Sequence, residues 1–125
     1  MQEVKFVNEK AVQLVSLYNQ FLVNDQGYNA LIELTWDILF DWQHLNPIET
    51  GELSTKERVF WHMLFELQYW DKGLLTRNKK LKSDLNDCAL YLQDEQKIPL
   101  HCIGIRPEKS PIEAEIEHQL EAEVA

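Results

Sequence analysis

The stretch STKERVFWHMLFELQYWDKG, residues 54–73, decides the fold. Ser54 and Glu57 stand at capping-box spacing, the arrangement that opens a helix by pairing its first free N–H groups. At about 100° per residue, Val59, Phe60, Met63, Leu64, Leu67 and Trp70 fall on one apolar arc. Trp61, Phe65 and Tyr69 form a second stripe at i, i+4 and i+8, with His62 and Glu66 between the two. The spacing predicts a helix from Ser54 to about Asp71, stopped at Gly73. A helix apolar on two sides is either the buried centre of a bundle or the carrier of an exposed patch.

The neighbouring segments read the same way. Val4, Val7, Ala11, Leu14, Val15, Tyr18, Phe21 and Leu22 share one face of a helix over about 4–23, which ends in the polar turn Asn24-Asp25-Gln26-Gly27. So short a link implies an antiparallel neighbour. That neighbour runs from about Tyr28 to His44. Tyr28, Leu31, Ile32, Trp36, Ile38, Leu39 and Trp42 form its apolar face, and Glu33, Asp37, Asp41 and His44 lie opposite. Pro47 marks its end, and the loop LNPIETGEL follows. A further helix over about 78–95 carries the core stripe Leu81, Leu85, Cys88, Ala89 and Leu92. The segment KIPLHCIGIRP, residues 97–107, reads as extended, either an arm packed on the helices or, in a mixed fold, a strand over 98–105. Ser110, Pro111 and Glu113 open a last helix with the narrow stripe Ile112, Ile116, Leu120 and Val124. The expected fold is all-α: a four-helix antiparallel bundle over 1–96, then an extended arm and a short acidic C-terminal helix over 97–125, one domain overall.

Composition narrows the class. At 125 residues with 45% hydrophobic content, the chain can bury a core without disulfide or metal support. No apolar run nears the ~18 residues of a membrane span, and MQEVKFVNEK lacks a signal-peptide core. Cys88 and Cys102 have no CxxC spacing and read as reduced thiols of a cytoplasmic protein. The net charge of −9 is uneven. Residues 1–55 hold two basic and eight acidic groups, net −6, whereas residues 107–125 hold one and six, net −5. Such a field disfavours nucleic acid and anionic lipid, and it suits a basic partner.

Catalytic patterns find little support. Asp41-x-x-His44 and His62/Glu66 resemble ligand pairs, but the acidic row lies opposite the apolar arc, where it faces solvent rather than a convergent metal site. Arg58 and His62 are too close for the Arg-to-His spacing of nuclease-type bundles, and there is no His-Asp dipeptide. His101 and Cys102 are adjacent, so in an extended segment their side chains point apart. The basic run Lys72, Arg77, Lys79, Lys80 and Lys82 reads as a solvated helix end. No cofactor and no metal are expected. Small acidic helical proteins that neutralise toxins or mimic nucleic acid resemble this chain in size and charge, a likeness of composition alone.

The aromatic density carries the functional expectation, since nine of 13 aromatics lie between Tyr28 and Trp70. The sequence favours a non-enzymatic binding protein that docks on a basic protein partner, or on a second copy as a homodimer. Its contact residues would be Glu33, Asp37, Asp41, Trp61, Phe65 and Tyr69. The alternative is a small-molecule binder with a pocket between the second and third helices lined by Trp36, Trp42, Trp61 and Trp70, with His62 or Gln68 as polar contact.

Overall fold

The computed structural model describes residues 2–45, 53–94, 97–99, 102 and 104–107. Its regular elements are all helical: α1 (Gln2–Val23), α2 (Tyr28–Gln43), α3 (Thr55–Tyr69), α4 (Lys72–Arg77) and α5 (Lys79–Asp94), with a 3-10 turn at Asp25–Gly27 between α1 and α2. None is long and apolar enough to cross a membrane. The expected helix beyond Ser110 and most of the loop around Pro47 lie outside the described residues.

Local chemistry accounts for the boundaries. Asn24 caps the 3-10 turn by accepting from the Gln26 N–H. Ser54 caps α3 by accepting from Glu57 N at 3.1 Å, but the reciprocal half of the capping box is not made, because the Glu57 side chain is drawn into the interior. The chain does not continue as helix to Gly73. Trp70 turns extended, and the Asp71 carboxylate accepts from Leu74 N at 2.8 Å, so a new short helix opens where a stop was expected. Asn78 then closes α4 and caps α5 through its side chain, which accepts from Leu81 N.

α1, α2, α3 and α5 enclose one core, with α3 packed against the other three. Its centre is aromatic. Trp42 and Trp61 are fully buried with ring centroids 5.0 Å apart, and Phe6, absent from the expected stripe of α1, packs on both. The second stripe of α3 is therefore not one surface. Each four-residue step advances about 40° around the axis. Trp61 lies inside, Phe65 is half-buried and Tyr69 is exposed. On α2 the buried arc is Leu31, Thr35, Ile38 and Trp42. Trp36, expected among them, lies about 130° from the centre of that arc and faces solvent. Thr35 takes the inner position instead. Its hydroxyl donates to the Ile32 carbonyl and accepts from Gln68 Nε2, so burying it leaves no polar atom unpaired.

The described residues of the arm, 97–99, 102 and 104–107, carry no strand, and the last of them are seated on the helices. Arg106 binds Glu57 through two contacts, Nε to Oε2 at 2.5 Å and a terminal nitrogen to Oε1 at 2.9 Å. Trp61 Nε1 donates to the same carboxylate at 3.1 Å, and Trp42 Nε1 donates to the Pro107 carbonyl at 2.9 Å. Gly104 is pressed against the backbone of α3, where a Cβ would collide with the Arg58 carbonyl and the His62 nitrogen. Pro99 is buried, while Ile98 and Ile105, expected as part of an apolar strand, are exposed.

Candidate functional site

Two sites emerge. The first lies where the arm crosses α3 and α5. Seating Gly104 on α3 and Arg106 on Glu57 brings Cys102 to Cys88, with the sulfurs 3.9 Å apart. One ligand atom each from His62, Cys88 and Cys102 lies within 4.8 Å of the others. The cluster borders an open cavity of about 880 Å³ whose wall includes Glu66, Leu81, Asp84 and Trp70. Burial pushes the Cys88 thiol well above the ordinary range, reinforced by Cys102 and by the carboxylates of Asp84 and Asp87. Burial also raises Cys102, against the opposing effect of its hydrogen bond with Cys88. Nucleophilic cysteines show the opposite displacement, toward the thiolate at neutral pH.

None of this was legible from spacing. Positions 62, 88 and 102 form no motif, and each alone reads as a core or surface residue. Of the ligand pairs that spacing suggests, Asp41/His44 and His62/Glu66, only His62 joins the cluster, with two cysteines rather than Glu66 as its neighbours. His44 turns away from such a role, since its Nδ1 donates to the Phe40 carbonyl at 2.8 Å and its ring packs on Phe40. Asp41 is held by Lys10 at 2.8 Å.

The second site is the outer face of α2 and α3. Trp36, Phe40 and Tyr69 are 60%, 63% and 77% exposed. A shallow groove of about 510 Å³ runs between Trp36, Phe65, Gln68, Tyr69 and Trp70. Glu66 shares both sites, its carboxylate accepting from Trp70 Nε1. Glu33 and Asp37 are exposed, and on the wheel of α2 they stand beside Trp36 and Phe40.

Of the six expected contact residues, Phe65 and Tyr69 line the groove and Glu33 and Asp37 are exposed on the outer face of α2, whereas Asp41 is turned to Lys10 of α1. Trp61 does not reach this face: it belongs to the core, with no surface to offer a partner. The expected pocket of Trp36, Trp42, His62 and Trp70 is not assembled either. Trp42 is fully buried, Trp36 is outside, and His62 with Trp70 lines the cavity beside α5. Compared with known family models, curated proteins and solved structures, the chain finds no match in any of the three.

Proposed function

We propose that this chain is a non-enzymatic docking protein whose α2–α3 face binds a basic segment of a protein partner. The observation that carries the reading is the exposure of Trp36 and Tyr69 at a shallow groove, with Phe40, Glu33 and Asp37 exposed on the outer face of α2 next to Trp36. Large exposed rings are the usual anchors of protein interfaces. Lys or Arg side chains laid over such rings gain a cation–π attraction, while the carboxylates steer the approach. The net charge of −6 over residues 1–55 extends the same preference. The proposal includes an antiparallel order of the four long helices and a reducing, cytoplasmic setting for the two free thiols.

Titration of a Lys/Arg-rich peptide into the full chain, followed by tryptophan fluorescence and calorimetry, tests it. Trp36→Ala and Tyr69→Ala are expected to weaken binding about tenfold each, as interface anchors do, with unchanged helical circular dichroism. Glu33→Gln with Asp37→Asn is expected to flatten the salt dependence. Binding indifferent to both ring substitutions would overturn the reading. A dimer in light scattering that the same substitutions dissolve would also overturn it, assigning the face to self-association.

A further inference from the structure

We propose that His62, Cys88 and Cys102 form a zinc site, with a ring nitrogen and two thiolates as protein ligands and the fourth position facing the cavity beside α5. The sulfur separation argues for it. Two thiolates bound tetrahedrally at about 2.3 Å from one zinc ion stand about 3.8 Å apart. Cys88 and Cys102 stand at 3.9 Å. A disulfide would require about 2.05 Å between the same atoms. The His62 nitrogen lies within 4.8 Å of both sulfurs, so a side-chain adjustment of about 1 Å brings it to zinc-ligand spacing.

The donors come from three separately anchored elements: α3 supplies His62, α5 supplies Cys88 and the arm supplies Cys102. Cys102 lies two residues from Gly104, whose close approach to the α3 backbone fixes the height of the arm. Two thiolates and one imidazole are a borderline-soft set that suits zinc. Binding exchanges each S–H bond for an S–Zn bond and releases two protons to solvent, with no electron transferred. The filled cluster is then neutral, which suits its partial burial, and the nearby carboxylates Glu66 and Asp84 add attraction for a cation. Three protein ligands and an open side facing about 880 Å³ of cavity leave room for water or an anionic small ligand as the fourth.

The test uses the full chain, reduced and handled without oxygen, titrated with Zn²⁺ and with Co²⁺ as the spectroscopic probe. Expected are one ion per chain, a thiolate-to-cobalt charge-transfer band with tetrahedral visible bands, and protection of both thiols from alkylation by zinc. Cys102→Ser and His62→Ala should lose the charge-transfer band or its tetrahedral pattern while keeping helical circular dichroism. Both side chains are only half-buried, so these variants carry the test even if Cys88→Ser fails to fold. A reduced, folded chain that takes up neither ion would overturn the proposal. Uptake unchanged in both variants would do the same, as would a Cys88–Cys102 disulfide whose reduced form binds no metal.

Discussion

Replacing Arg106 by Met should destabilise the fold by about 3 kcal/mol. The Glu57 carboxylate is 3% exposed and its guanidinium partner 19%. Removing one member of a buried pair costs about 3–5 kcal/mol, because the remaining charge stays out of water without compensation. Trp61 Nε1 still donates to that carboxylate, which offsets about 1 kcal/mol, and the Met side chain preserves most of the apolar stem packing. The net of about 3 kcal/mol is a factor of roughly 100 in the unfolding equilibrium. It lowers the melting temperature by about 10 °C in a chain of this size. Urea unfolding followed by both circular dichroism and tryptophan fluorescence measures it. Glu57→Gln combined with Arg106→Met should regain at least about 1 kcal/mol over Arg106→Met alone, because no charge is then stranded. A single variant within about 0.5 kcal/mol of the native chain would refute the reasoning. So would strict additivity in the cycle. Either result would mean that Arg106 does not hold the arm on α3.

Gly104→Ala should cost about 1–3 kcal/mol and lift the arm, since the opposing atoms belong to the backbone of α3 and cannot yield. Faster proteolysis within 97–107 with helical content retained is the expected readout. Trp61→Ala should destabilise by about 3–5 kcal/mol, whereas Tyr69→Ala should stay within about 0.5 kcal/mol, which denaturation midpoints separate directly. Tyr18 is buried, donates to Asn86 Oδ1 at 2.6 Å, and has its phenol pKa raised by burial and then by Cys88. Its share of stability is intact below the ordinary phenol value of about 10 and is lost as pH climbs past it, at up to about 1.4 kcal/mol per pH unit. The stability measured by denaturation from pH 9 to 11.5 should therefore fall less steeply in Tyr18→Phe. Equal slopes would contradict this account.

Helix identity was legible locally. The apolar positions of residues 4–23, 28–44, 59–70 and 81–92 recur at helical spacing, and Ser54 carries its capping chemistry within its own turn. Asp71 has the chemistry of a cap, but Gly73 two residues later carries the competing signal of a helix stop. Periodicity alone does not say whether a polar side chain three residues before an amide pairs with it.

Which side of each helix became interior was decided only in three dimensions. Thr35 outranks Trp36 for the inner face of α2 because Gln68, 33 residues away, satisfies its hydroxyl. Trp61 is enclosed because α1, α2 and α5 surround α3, while the 40° advance of its stripe carries Tyr69 out to solvent. Glu57 leaves its capping position for an arginine 49 residues later. The thiol–imidazole cluster joins positions 62, 88 and 102, held together by a glycine contact and an ion pair that no local pattern encodes. Amphipathic period is a property of neighbours along the chain and is written in the sequence. Desolvation and partner geometry belong to segments meeting across the fold, and packing alone settled them.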